Sequence, residues 1–201
     1  MRGARLCLAA VLLAGQAARA EDGSPRMRAA EGLGGLFSEM RLGVLAHNFG
    51  AREGGADING EILFVSPVPA RLTEGASPFL RRLATPRPHL GFSANTGGGT
   101  SKGYFGLTWT APLAHDLLRP GDRLWLDLFF GGSVNDGKHA SASPYRRSLG
   151  GNLLFRVGGE IGYRITRHLS ASIVLDHDSN AGLARHNDGL NSIGLRLGVA
   201  F

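Results

Sequence analysis

Cysteine occurs once in 201 residues, at Cys7, so no disulfide framework can hold this chain together. Charge is scarce as well: Asp, Glu, Lys and Arg make up 19% of the sequence, which together with 43% hydrophobic residues excludes a disordered polyelectrolyte. No apolar run approaches the roughly 20 residues that a membrane-spanning helix needs. After residue 30, no long window keeps a helical repeat, and the 31 glycines argue the same way, because each mid-helix Gly costs about 1 kcal/mol relative to Ala. Sequences for a P-loop, an HExxH zinc helix and a GxSxG elbow are all missing. No histidine pair has metal-site spacing, so neither a cofactor nor a metal is implied.

What is present begins with an address. Residues 1–20 carry Arg2 and Arg5, an apolar run from Leu6 to about Ala14, and Ala18-Arg19-Ala20. A basic start, a short apolar stretch and an A-x-A site predict a secretory signal peptide, leaving 21–201 as the exported domain. Three of the 22 basic residues (Arg2, Arg5, Arg19) fall in that segment, leaving 19 against 16 acidic. That surplus is too small for a surface that tracks nucleic-acid phosphates.

The exported part alternates with a period of two, in stretches of about ten residues parted by Gly, Pro, Asn and Asp. In 122–131, Leu124, Leu126, Leu128 and Phe130 share one face, and Trp125, Asp127 and Phe129 the other. In 153–164, Leu153, Phe155, Val157, Ile161 and Tyr163 oppose Arg156, Gly158, Glu160, Gly162 and Arg164. Ile193, Leu195, Leu197, Val199 and Phe201 oppose Gly194, Arg196, Gly198 and Ala200 in the last stretch. Similar patterns at 36–47, 58–66, 88–96, 102–111 and 168–179 bring the expected strands to eight. The longest linkers are 67–87 and 134–150, and four prolines in the first exclude a further strand there.

A sheet with one greasy and one polar face closes in two ways. The greasy face lines the ligand cavity of a soluble barrel, or it meets hydrocarbon in a transmembrane one. Here Arg and Glu alternate with Gly on one face, which suits the filled interior of a narrow eight-stranded barrel. The other face carries almost no ionic residue, and each Lys or Arg there would cost about 2–4 kcal/mol at mid-depth. The pattern predicts an all-β, eight-stranded antiparallel transmembrane barrel, with a soluble periplasmic barrel as the alternative.

One segment concentrates chemistry. His177 and Ser179 lie two apart in an extended stretch, so they share the face of Ile173 and Leu175, roughly 6.6 Å apart along the strand. A base and a hydroxyl nucleophile that face lipid suit a lipid ester as substrate. The run His177-Asp178-Ser179-Asn180-Ala181-Gly182, followed by Asn187-Asp188-Gly189-Leu190 and a strand ending at Phe201, resembles the PagL-type lipid A deacylases. That resemblance implies an outer-membrane serine esterase of a Gram-negative bacterium that removes an ester-linked acyl chain from lipid A of lipopolysaccharide. It implies Ser179 as nucleophile, His177 as general base, and Asn187 with the backbone near Gly182 as oxyanion donors. It requires no cofactor and leaves room for a homodimer. The family's acid position is Asn191 here, which keeps the face but loses the charge, with loop residue Asp188 as an alternative partner for His177. The competing expectation is a weak or inactive barrel with a structural or adhesive role. Arg81, Arg82, Arg87, Arg146 and Arg147 sit in the long linkers and, if these are extracellular, could meet lipid A phosphates; solvated loop charge is the commoner explanation.

Overall fold

The computed structural model describes residues 35–51 and 53–201. The signal segment expected at 1–20 lies outside them. Eight strands follow one another: β1 (Phe37–Ala46), β2 (Ala56–Phe64), β3 (Arg87–Asn95), β4 (Lys102–His115), β5 (Arg123–Asn135), β6 (Leu153–Arg164), β7 (Leu169–Ser179) and β8 (Leu190–Ala200). Each pairs antiparallel with the next, and β1 pairs with β8 from Glu39↔Ala200 to Ala46↔Ile193, so the sheet closes within one chain. No second copy is needed to cover an edge.

Alternation sorts the side chains as the sequence predicts. Leu42, Val44, Ile58, Leu90, Phe105, Phe130, Ile161, Ile173, Leu195 and Leu197 are exposed on the outer wall. Arg41, Glu61, Asp127, Arg156, Glu160, Asp176 and Arg196 are buried in the lumen. β4 and β5 extend beyond the stretches expected for them, pairing as far as His115↔Arg123 and Lys102↔Asn135. Pro112 breaks the sequence signal but not the strand, because a register shift between Pro112 and Ala114 absorbs the missing donor.

Ions bound to ions fill the interior. Arg41 donates to Asp127 at 2.7 Å, to Glu160 at 2.8 Å and to Glu39 at 3.0 Å. Arg196 bridges Glu160 at 2.9 Å and Glu61 at 3.2 Å. Higher up, Arg156 stacks on Tyr104 and Phe129, with its guanidinium carbon 3.7 and 4.1 Å from the ring centroids, and donates to Asp176 at 3.1 Å. Lys102 contacts both Asp176 and Asp178, and Ser133 donates to Asp178 at 2.5 Å. Glycine makes room for the large members: a Cβ at Gly162 would lie 1.9 Å from the Trp125 ring.

The antiparallel order puts loops 47–55, 96–101, 136–152 and 180–189 at one end, and 65–86, 116–122 and 165–168 at the other. The two longest linkers therefore sit at opposite ends, which separates Arg81 and Arg82 from Arg146 and Arg147. Arg87 is no loop residue: it lies on β3 and reaches Glu39 and Asp127, at 3.2 Å each. The first linker holds a short helix α1 (Pro78–Ala84), capped by Ser77 and started by Pro78. Trp109 on the outer wall donates to its Leu83 carbonyl at 3.0 Å, so exposed Phe79, Leu80 and Leu83 continue the apolar wall.

At the other end, Glu53 ties three loops together. It accepts from the Thr100 amide at 2.9 Å, the Thr100 hydroxyl at 2.6 Å and the Arg147 amide. Burial opposes its ionisation, but the Thr100 hydroxyl and these amides outweigh burial and hold its pKa below the usual 4.5. A depressed carboxylate stabilises the fold above its unfolded-state value, and that contribution disappears as pH falls through the folded value. The unfolding free-energy gap between wild type and Glu53→Gln in micelles is therefore expected to be constant at neutral pH and to close below about pH 4.5; a gap independent of pH would contradict this. In the lumen, Arg41→Met removes the cation shared by Glu39, Glu61, Asp127 and Glu160, leaving them to Arg87, Arg164, Arg156 and Arg196, and is expected to cost about 3–5 kcal/mol in urea titrations. Leu195→Arg, halfway along β8 on the outer wall, is expected to cost about 2–4 kcal/mol in a bilayer.

Candidate active site

The inward anchors place the outward residues. Asp176 and Asp178 are buried and held by Arg156, Lys102 and Ser133, so the intervening His177 and the following Ser179 must face outward. Both are half-buried on the outer wall at the loop-rich end of β7. Opposite them, Val157 pairs with His177, and Phe155 pairs with Ser179. Phe155 stacks on Phe130 with centroids 6.4 Å apart, and Val134 and Leu153 nearby are exposed. This apolar strip runs along the wall up to the Ser179 hydroxyl.

β8 supplies the partner. Asn191 is directly across from His177, and the His177 Nδ1 lies 2.7 Å from Asn191 Oδ1. An amide oxygen only accepts, so Nδ1 carries the proton and Nε2 keeps its lone pair. Asn191 is itself fixed from the β1–β2 loop. Its amide donates to Asn48 Oδ1 at 3.3 Å, and its carbonyl accepts from the Phe49 amide at 2.9 Å. Asn48 is fully buried and adopts a left-handed backbone (φ 44°) to make this contact.

Asp188 is not a partner of His177 here. Its carboxylate accepts from the Ser148 amide at 2.7 Å, and its amide donates to the Ser148 carbonyl at 3.1 Å. These bonds dock the β5–β6 loop onto the β7–β8 loop, and Leu149 packs beneath them with Leu154 and Leu190. Arg147 completes the join, its guanidinium donating to the carbonyls of Asp188 and Gly189.

The turn after β7 is built around Asn180. Its Oδ1 accepts from the Gly182 amide at 2.9 Å, and its Nδ2 donates to the carbonyls of Leu149 and His186. Asn187 Oδ1 accepts from the Asn180 amide at 2.9 Å, which turns its Nδ2 away from that bond. The Gly182 amide is thus engaged within the loop, while the Asn187 side-chain donors are not used in that contact. Gly189 borders the pair more closely than the sequence suggests. It is buried with φ 67°, and a Cβ there would lie 3.2 Å from His177 Cε1 and 3.8 Å from Ser179 Cβ. Asn48 and Glu53 gave no sequence signal, and Arg147 stood out only as linker charge; Gly189 gave one, as the Gly of the Asn187-Asp188-Gly189 turn. Among the described residues, no group of three His, Cys, Asp or Glu side chains could hold a metal ion.

Comparison with known proteins bears on the fold and on the family. Curated proteins return no match. The crystal structure of the outer membrane enzyme PagL superposes with a TM-score of 0.61 at 18% identity, covering 82% of this chain and 100% of that one. The N-terminal β-barrel domain of Pseudomonas aeruginosa OprF covers 80% of this chain and 97% of its own, at 12% identity and a TM-score of 0.41. A family model described as lipid A 3-O-deacylase (PagL) matches residues 73–200. That span is more than half of the sequence, and the chain belongs to the PagL family of lipid A 3-O-deacylases.

Proposed function

We propose that the protein is an outer-membrane ester hydrolase of a Gram-negative bacterium that removes the 3-O-linked acyl chain from lipid A, using Ser179 and His177. The observation that carries this reading is the His177 Nδ1 to Asn191 Oδ1 hydrogen bond on the lipid-facing wall beside Ser179. The Phe155, Phe130 and Val157 strip supports it, because an acyl chain lying there brings its ester to the rim without leaving hydrocarbon.

In this mechanism Ser179 Oγ gives its proton to His177 Nε2 and attacks the ester carbonyl. The Asn187 side-chain amide donates to the developing oxyanion. Collapse of the tetrahedral intermediate passes the proton from Nε2 to the sugar oxygen, which leaves as a hydroxyl. Water, deprotonated by the same nitrogen, then hydrolyses the acyl-serine and frees the fatty acid. Asn191 holds the imidazole in the required tautomer but brings no negative charge to the imidazolium that forms. The reading is therefore of a slow enzyme. The same missing charge favours the second reading, a barrel that keeps the fold and has lost turnover.

Mass spectrometry of lipid A from a lipopolysaccharide-producing host separates the two. Wild type is expected to remove one 3-O-acyl mass, and Ser179→Ala and His177→Ala none; an unchanged spectrum from folded wild type overturns the enzymatic reading. Asn191→Glu is expected to raise the rate, by up to about 10⁴-fold, the span lost when a serine-protease triad gives up its acid. Gly189→Ala presses a methyl against His177 Cε1 and is expected to lower kcat about tenfold or more, with heat-modifiability of the barrel retained. Unchanged turnover in that variant would show that the imidazole needs no such clearance.

A further inference from the structure

Between the β1–β2 and β5–β6 loops, and bordered by Asp188 of the β7–β8 loop, lies a cavity of about 360 Å³. That volume suits a sugar-sized or smaller polar ligand. Arg146, Arg147, Ser143 and Ser148 line it, with Asp188 as its only carboxylate among the described residues. Neither guanidinium has a carboxylate within 4.0 Å among the described residues. Arg147 is spent on the Asp188 and Gly189 carbonyls through Nε and Nη2, and Arg146 on the Gly98 carbonyl through Nη1. Arg146 Nε is buried without a hydrogen-bond partner, at a cost the fold does not offset internally. The hydroxyls point the same way. Ser143 Oγ accepts from the Tyr145 amide at 3.3 Å, and Ser148 Oγ accepts from the Ser141 amide at 3.0 Å. Each hydroxyl has its acceptor side occupied and its proton left to donate.

We infer that this cavity binds a phosphomonoester carried by the sugar headgroup of the lipid substrate. A tetrahedral dianion with three free oxygens matches two guanidinium groups and two hydroxyl donors, and it outweighs the single carboxylate at the wall. The position fixes the source. Asp188 lines the cavity, and the next residue, Gly189, borders His177 Cε1 and Ser179 Cβ. An anion held here therefore lies one residue along the chain from the glycine that borders Ser179, on the same loop cap. This inference rests on the deacylase reading for the identity of the headgroup, and binding is measured apart from turnover.

The test uses the full-length Ser179→Ala protein in nonionic micelles, which cannot consume its ligand. Three probes are titrated: lipid A bearing its phosphomonoesters, the same lipid after phosphatase treatment, and inorganic phosphate. Dephosphorylation is expected to weaken binding about tenfold or more, the worth of charge-assisted hydrogen bonds to one anion. Adding Arg146→Gln is expected to bring the phosphorylated lipid down to the affinity of the dephosphorylated one, leaving the latter unchanged. Arg146→Lys, which keeps the charge, is expected to restore part of the difference. Equal affinity for both lipids overturns the inference, as does an Arg146→Gln loss that is the same for both, since that marks a structural role for the Gly98 tie. Binding of inorganic phosphate with no preference between the lipids would assign the cavity to free phosphate and overturn the headgroup. Absence of acyl loss from wild-type lipid A would sink the deacylase reading while leaving this phosphate preference measurable.

Discussion

Everything at the site follows from two aspartates that cannot leave the lumen. Asp176 and Asp178 are bound by Arg156, Lys102 and Ser133 in an interior with no water-like dielectric to compensate their release. With a side-chain period of two, fixing those residues inward fixes His177 and Ser179 outward, and a one-residue slip would exchange the pairs. The same network reaches down the barrel through Arg196, Glu160 and Arg41 to Glu39. The ion-filled core is thus the jig that aims a polar pair at an apolar surroundings, where neither residue would otherwise be placed.

A second layer of constraint comes from the loops. β7 and β8 alone bring His177 and Asn191 face to face, but the β1–β2 loop holds the Asn191 backbone from both sides. The β5–β6 loop reaches the site through Ser148 on Asp188 and through Arg147 on the 188 and 189 carbonyls. Glu53 then links that loop to the β1–β2 and β3–β4 loops. Four hairpin tips become one cap, so a change at Glu53 is felt at Gly189 through hydrogen bonds rather than through packing.

The barrel was legible in the sequence because burial and alternation are local signals. Leu124 against Trp125, or Arg156 against Phe155, declares its side from its neighbours. The lipid-facing position of His177 and Ser179 followed from the same parity. Strand ends were less legible: Pro112 hid the last four residues of β4, since a bulge depends on the partner strand. The linker prolines rightly excluded a strand at 67–87, yet Ser77-Pro78 was a helix start that went unread. Long-range contacts left no trace at all. Nothing near Asn48, Glu53 or Arg147 reveals that each meets residues about 40 to 140 positions away. The partners of Asn191 and Asp188 are of the same kind: His177 is hydrogen-bonded to Asn191, and Ser148 occupies the Asp188 carboxylate.

The strand order carries one more consequence. β1 starts and β8 finishes at the end away from the site, so every loop that builds the cap is the tip of a hairpin. Those tips have to come together before Asn48 can find Asn191 or Arg147 can find Asp188. Before they meet there is no oriented imidazole and no cap. The arrangement around His177 is thus a property of the closed barrel and of no shorter piece of it.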